Sequence, residues 1–515
     1  MKLSKNFVIS AVSNLSTAYN LLVINVVHVL VENQYTGGST ASSSGAVSMA
    51  STACLVGAIV GQLTLGYVGD CLGRPRALQI TMALSVLGAL ASAFAVPLDA
   101  ARPETIFHFL SITRFVLGVG VGGVYPLSAT IASEAASKES RGRTASLVFS
   151  MQGVASLLVP LLAMLLVALC GTPKVDARGD DLGLSWRLLL GLGALPGILL
   201  APFKARSASA EEAKRNSNIN GAAQGPTAPL AAFAADAPPP AAPPAQISLL
   251  QALRIRKYWG KLVGTAGGWF FFDITFYGNS LFQPTARAIP AQLWRNSGAN
   301  PGAILPQLWR NSGAHVSERR RARLAQVLKD VFNSTKAAGP TPVTGDLSSN
   351  VLAQVAVVAA IGLPGYYVSV GLMDILGRKK IQLQGFFFMA VVFGALGIFD
   401  AQLEDAPAVM LILYGLTFFF SNFGPNSTTF ILPAETFPFH LRTTLNGFSA
   451  AMGKAGATLG SAGFKSLFHA TNMTVTMLVC AAISLVGLAV TVFFVEDRRG
   501  KDMEEGAEED EGAAP

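Results

Sequence analysis

Charge is scarce in this chain. Asp, Glu, Lys and Arg make up 13% of its 515 residues and apolar residues 51%, a balance too greasy for a soluble protein of this length. Cysteine is scarcer still. Cys54, Cys71, Cys170 and Cys480 lie far apart with no metal-ligand spacing, so they read as packing residues, and neither a metal nor a cofactor is expected. No cluster of nucleophile, base and metal ligand is visible, which argues against an enzyme. The net charge of +8 would suit a nucleic acid, but the Lys and Arg residues sit mainly in loops between apolar runs, where membrane topology accounts for them. No nucleic-acid partner is expected.

What the chain does have is long apolar runs. A bilayer span needs about 20 mostly apolar residues, and twelve such stretches recur, near residues 7–31, 46–69, 77–97, 110–133, 145–169, 186–203, 259–283, 350–373, 381–400, 407–432, 444–469 and 475–495. The expected fold is therefore an all-α, multi-pass membrane protein with the lipid bilayer as its surroundings. The first run holds Asn14, Asn20, Asn25 and His28 and lacks a small-residue cleavage site, so it reads as a retained helix rather than a signal peptide.

Positive residues favour one side: Arg74 and Arg76 after span 2, Lys138, Arg141 and Arg143 after span 4, and Arg378, Lys379 and Lys380 after span 8. That side is expected to be cytoplasmic, with both termini on it. Residues 1–203 then form one six-helix bundle and 259–495 a second. Between them, 204–258 is a flexible cytoplasmic linker whose stretch 205–247 is rich in Ala, Pro, Ser and Gly. Residues 284–350 form a long external loop, and 496–515 an acidic cytoplasmic tail. The loop carries the basic run Arg319, Arg320, Arg321 and Arg323, but loops longer than about 60 residues largely escape the charge rule. Its Asn333-Ser-Thr sequon fits an external position. Within it Gln292-Leu-Trp-Arg-Asn-Ser-Gly-Ala recurs from Gln307, a tandem duplication read as a local insertion.

A second repeat is long-range. Asp70-Cys-Leu-Gly-Arg74 recurs as Asp374-Ile-Leu-Gly-Arg378, and the spacing Glu134 to Arg141 recurs as Glu435 to Arg442. Two unrelated features at nearly one offset imply two homologous bundles, an arrangement that holds substrate near the midplane and alternates access by rocking. Carboxylates and guanidiniums at helix ends can pair across neighbouring helices. Asp70, Arg74, Asp374 and Arg378 are thus candidate gating latches, joined by Glu134 with Arg141 or Arg143 and by Glu435 with Arg442.

The substrate site is sought among ionisable residues in mid-span, because a charge there costs at least about 2.5 kcal/mol and marks function. Asp273 near the centre of span 7 and Lys454 near the centre of span 11 qualify. Trp269, Asp273 and Tyr277 are spaced i, i+4, i+8, which puts an indole N–H, a carboxylate and a phenol on one helix face. Gln152 occupies the corresponding place in span 5, Tyr125 stands beside Pro126 in span 4, and Asn422, Pro425 and Asn426 interrupt span 10. A cavity rich in donors with one fixed positive charge suits a small oxyanion. Individually, Gln152, Asn422 and Asn426 also fit plain interhelical hydrogen bonding. Arg114, toward one end of span 4, reads as a structural or gating cation rather than a ligand.

These residues belong to longer matches: Gly122-Gly-Val-Tyr-Pro-Leu-Ser-Ala-Thr130 with Ser133-Glu134, Met151-Gln-Gly153, the segment Gly264 to Tyr277, Leu281-Phe-Gln283, Pro364-Gly-Tyr-Tyr-Val-Ser369, Asn422-Phe-Gly-Pro-Asn426 through Glu435-Thr-Phe-Pro438, and Gly447 to Lys454. By them the chain resembles, over essentially all twelve spans, the phosphate:proton symporters of the major facilitator superfamily, the fungal and plant type of high-affinity inorganic phosphate transporter. The resemblance implies the major facilitator fold and phosphate contacts from Tyr125, Gln152, Trp269, Asp273, Tyr277, Asn422 and Lys454. It also implies a plasma-membrane location.

Three acidic positions of that family are neutral here. Span 1 reads Ser16-Thr-Ala-Tyr-Asn-Leu21 where the family usually has Thr-Asp-Ala-Tyr-Asp-Leu, and Val124 stands where an Asp usually precedes the Tyr-Pro pair. Thr17, Asn20 and Val124 thus replace carboxylates that the resemblance implicates in proton movement. Asp273 is left as the candidate for proton coupling. The expected function is secondary active transport of inorganic phosphate by alternating access, coupled to protons. Transport of another small anion or an organic phosphate, coupled to Na⁺ or uncoupled, is the alternative, and a phosphate-binding sensor acting through the linker or tail is the third reading.

Overall fold

The computed structural model describes residues 5–36, 44–99, 102, 105–170, 182–202, 256–280, 347–404 and 406–501. The linker stretch 205–247, the duplicated octapeptide, the arginine run, the sequon and residues 502–515 of the acidic tail lie outside the described residues.

The first half runs through α1 (Lys5–Thr36), α2 (Ser44–Leu72), α3 (Arg74–Ala93) and α4 (Ile106–Glu134), then α5 (Arg141–Phe149) and α6 (Met151–Cys170), which together make the fifth span, and α7 (Gly183–Leu192), which opens the sixth. The second half has α8 (Arg256–Leu262), a π-helical turn (Val263–Gly267) and α9 (Gly268–Ser280) as its first span. There follow α10 (Leu347–Leu376), α11 (Arg378–Ile398), the short α12 (Asp400–Glu404), α13 (Pro407–Asn422) with α14 (Pro425–Thr436), α15 (Arg442–Ala470) and α16 (Met473–Phe494). Within the described residues, each of the twelve expected runs overlaps one of these helices or helix pairs.

Nine helices among the described residues are long and apolar enough to cross a membrane. The seventh, tenth and eleventh spans depart from a plain apolar helix in ways that bear on the site. The seventh contains the π turn, the tenth is cut between Asn422 and Pro425, and the eleventh mixes Gly, Ser and Thr around Lys454. These spans carry Trp269, Asp273, Tyr277, Asn422 and Lys454. Polar function and apolar continuity compete within one helix, and here function has been given precedence.

The internal repeat is visible in the backbone. Gly73 and Gly377 have φ of 90° and 89°, a left-handed conformation that a side chain would strain. Each turns the chain sharply between the second and third helix of its half.

Lipid tails are as apolar as the helices, so helix association inside a bilayer depends on close packing of small residues. Between the halves, a Cβ on Gly66 of α2 would lie 2.8 Å from Thr443 O and 3.4 Å from the Cα of Gly447 on α15. Near the centre, rings from both halves meet. Phe149 of α5 stacks on Phe430 of α14 at 4.6 Å, and Tyr125 of α4 meets Phe430 edge-on at 6.3 Å.

Candidate functional site: a midplane ion pair and a two-fold latch

Three glycines of α15 bring α9 against it. Cβ atoms on Gly453, Gly456 and Gly460 would collide with the Trp269 ring, Phe270 O and Ile274 O in turn. At that separation the short Asp273 side chain reaches across. Lys454 Nζ lies 3.2 Å from Asp273 Oδ2 and donates to Tyr277 OH at 3.0 Å, with Lys454 4% and Asp273 2% exposed. The ammonium also sits 4.7 Å from the Tyr277 ring centroid and 5.6 Å from that of Tyr125, within the range of cation–π attraction. A buried charge pair of this kind is tolerated because each partner satisfies the other in a medium of low dielectric.

The face drawn from the i, i+4, i+8 spacing is therefore real: Trp269 packs on Gly453, and Asp273 and Tyr277 hold the next residue, Lys454. Tyr125 comes from the opposite half and donates to Gln152 Oε1 at 3.3 Å. Gln152 is half-buried. The structure thus gathers Lys454, Asp273, Tyr277, Trp269, Tyr125 and Gln152 around one centre.

Asn422 is placed differently. Its Nδ2 donates to Gly362 O at 2.9 Å and its Oδ1 accepts from Asn426 Nδ2 at 2.7 Å, while its carbonyl accepts from Ser369 Oγ and Ser427 Oγ. Gln384 Nε2 donates to Phe423 O. The amide of Asn422 thus ties α13 to α10 and to Asn426, an interhelical role that its residue type allowed, while Ser369, Ser427 and Gln384 satisfy the carbonyls that the cut exposes. Tyr366 was not singled out from the sequence, although it lies in the quoted run Pro364 to Ser369. Its hydroxyl accepts from Asn426 Nδ2 at 2.8 Å, and its ring lies 6.0 Å from that of Phe149, so it joins the break to the centre.

The loop end of the bundle is held by the repeated acids and arginines. Asp70, on α2, accepts from Thr443 N at 3.3 Å and from Thr444 N and Oγ1 at 2.7 Å each, at the start of α15. Asp374, on α10, accepts from Gly142 N at 3.0 Å and Arg143 N at 2.8 Å, at the start of α5. Each acid caps a helix N-terminus, whose free N–H groups and partial positive charge favour an anion.

The pairing of Glu134 and Glu435 differs from the sequence expectation. Glu134 Oε1 is shared by Arg74 Nη2 at 3.3 Å and Arg442 Nη1 at 3.0 Å, so it bridges to the other half. Glu435 binds Arg378 through two bonds of 2.8 and 2.7 Å. Arg141 donates to Lys501 O at 3.3 Å. The arginine that starts the third helix of each half lies beside the acid that ends the fourth, whereas the loop from Glu to the next Arg carries the chain away. Arg74 additionally donates to Phe439 O at 2.7 Å and lies 3.9 Å above the Phe439 ring, a contact that no sequence spacing announced.

Comparison with known proteins bears on this arrangement. The model of the Major Facilitator Superfamily matches residues 7–322, more than half of the chain, and that of the Sugar (and other) transporter family matches residues 343–509. The probable inorganic phosphate transporter 1-6 of Arabidopsis thaliana is 32% identical, covering 97% of this chain and 92% of that one. The low affinity inorganic phosphate transporter 4 of Petunia hybrida is 32% identical, over 98% and 91%. The chain belongs to the inorganic phosphate transporter family of the major facilitator superfamily.

The fold of this phosphate transporter family member also matches solved structures. A proton:xylose symporter, XylE, bound to 6-bromo-6-deoxy-D-glucose aligns with a TM-score of 0.65 at 17% identity over 97% of both chains. The partially occluded inward-open XylE from E. coli aligns at 0.56, with 17% identity over 96% and 98%. At such identity the likeness shows the fold alone. Within this family member, the geometry sets an internal ion pair at the centre and a set of ion pairs and helix caps between the halves at one end.

Proposed function

We propose that this multi-pass protein carries inorganic phosphate across the plasma membrane by alternating access between its halves, with a proton entering beside the anion. The latch end is the cytoplasmic one. The observation that carries this reading is the Lys454–Asp273 pair, buried among the donors of Tyr277, Tyr125, Gln152 and Trp269. Support for phosphate as the cargo comes from the named phosphate transporters of which the chain is a full-length relative.

The pair suggests how loading proceeds. Lys454 can neutralise either the Asp273 carboxylate or an incoming oxyanion, but the two anions compete for one ammonium and repel each other. A proton on Asp273 removes the competitor. Dihydrogen phosphate then takes the ammonium, with phenol, indole and amide donors on its remaining oxygens. Proton and phosphate monoanion together add no net charge, so the filled site is as neutral as the paired one and can pass through the bundle without an extra desolvation penalty. Loss of the proton on the other side restores the carboxylate, which expels the anion.

The neutral residues Thr17, Asn20 and Val124 favour Asp273 as the single coupling acid. Val124 is fully buried in an apolar cluster with Ile9, Leu78 and Leu127, so no carboxylate occupies that place. The test is uptake of radiolabelled phosphate into proteoliposomes. Wild type should concentrate phosphate under an inward proton gradient and Lys454→Ala should not. Uptake that ignores the pH gradient but requires Na⁺ would overturn the proton part. Uptake unaffected by Lys454→Ala would overturn the site.

A further inference from the structure

Among the described residues, the most deeply buried cation of the first half has no counter-charge. Arg114 of α4 is 0% exposed. Its Nη1 donates to Asn20 O of α1 at 3.0 Å, whereas its Nε and Nη2 have no partner. By contrast Arg74, Arg378, Arg442 and Lys454 each hold a carboxylate. A guanidinium stays charged in any protein environment, and a buried charge without a partner is strongly destabilising. The contact between α1 and α4 contains a second orphan: Asn20 Oδ1 is also buried without a partner.

The two idle donors are not an arbitrary pair. Nε–H and Nη2–H point the same way along one edge of the planar guanidinium, the fork that receives two oxygens of a carboxylate or phosphate at once. The bond to Asn20 O uses the remaining nitrogen and leaves that fork intact. Asn20 is a neutral amide, so the residue that accepts from Nη1 brings no charge to the fork.

We propose that the free edge of Arg114 is a second anion site, specific for a small inorganic oxyanion, lying in the first half and separate from the Lys454 centre. Inorganic phosphate, whose paired oxygens match the fork, is the probe. The site does not depend on the transport cycle proposed above. It follows from one unpaired guanidinium edge.

The experiment is equilibrium binding of radiolabelled inorganic phosphate to the full chain in nanodiscs, with stoichiometry as the readout. Wild type should bind two phosphates and Lys454→Ala one. On the Lys454→Ala background, Arg114→Lys keeps the charge but loses the fork and should weaken the remaining site tenfold or more. Asn20→Asp on the same background places a carboxylate on the residue that Arg114 contacts, at the cost of the Nδ2 bonds to Ser16 O and Gly193 O, and should do likewise; a thermal unfolding profile unchanged from the Lys454→Ala parent guards against misfolded variants. Sulfate should displace the residual phosphate at concentrations where chloride does not. A wild type with a single site that disappears in Lys454→Ala would overturn the second site while leaving the transport reading intact. Residual binding indifferent to both Arg114→Lys and Asn20→Asp would overturn it too, and equal displacement by chloride would overturn its oxyanion character.

Discussion

Asp70 and Asp374 occupy the same place in the two repeats, and each caps a helix of the half to which it does not belong. Replacing either by Ala should loosen the closed end. A charged cap on exposed helix N–H groups contributes about 1 kcal/mol, and more where it is partly buried. Spin labels at the exposed positions Leu72 and Ile375 should then show a larger population of long distances, by about a factor of ten for each 1.4 kcal/mol. An unchanged distance distribution in both variants would count against the latch.

Asp273→Asn should separate binding from coupling. The variant keeps the shape of the carboxylate but leaves Lys454 free of its internal competitor, so phosphate binding should persist or strengthen. Exchange of labelled for unlabelled phosphate should continue, while concentration of phosphate under a proton gradient should fall to the level of empty liposomes. Loss of exchange along with uptake would mean that Asp273 contacts the anion chiefly as structure.

Gly456→Leu should act at a distance from any ligand. Its side chain would meet Phe270 O and push α9 from α15, lengthening the Lys454–Asp273 contact. Overpacking of this kind costs about 1 to 3 kcal/mol, so thermal unfolding in detergent should shift down by several degrees and phosphate affinity should fall about tenfold. Gly371→Leu has open space around its Cβ position and serves as the control that should do neither.

Asn426→Ala removes the donor that links Tyr366 OH to Asn422 Oδ1. Leaving buried acceptors unpaired costs about 1 to 3 kcal/mol. Because the break in the tenth span depends on these bonds, the variant should lose turnover more than affinity, read as a drop in maximal uptake rate with little change in the half-saturating phosphate concentration. The reverse pattern would place Asn426 at the ligand.

Much of this was legible in the chain. Apolar runs of span length can be read locally, since a bilayer admits only helices there. The mid-span charges Asp273 and Lys454 stood out because each is expensive unless it has a purpose. The Asp-x-x-Gly-Arg repeat was legible as a pair, and so was its glycine, which the backbone uses at φ near +90° in both copies. Partnerships were not legible. Whether Glu134 meets Arg141 or Arg442 depends on how the fourth, fifth and eleventh spans converge, and residues more than 300 positions apart become neighbours only through packing. Asn422 shows the same limit: its residue type leaves its partners open, and only the fold shows that its amide bonds Gly362 and Asn426. Arg114 looked like an ordinary buried cation until the fold placed its side chain beside Asn20 with no acid against it among the described residues.

By itself, then, the sequence determined the membrane-spanning helices, the two-fold plan and the residue types of the centre, because bilayer cost and helical spacing act within single segments. The tertiary structure alone decided which charges are neutralised. Lys454 meets Asp273 across a glycine-lined contact, Glu134 bridges the halves, and Arg114 keeps its forked edge unpaired. Electrostatic pairing falls off within a few ångströms in a medium where helices approach to contact, and such distances are set only when the helices pack.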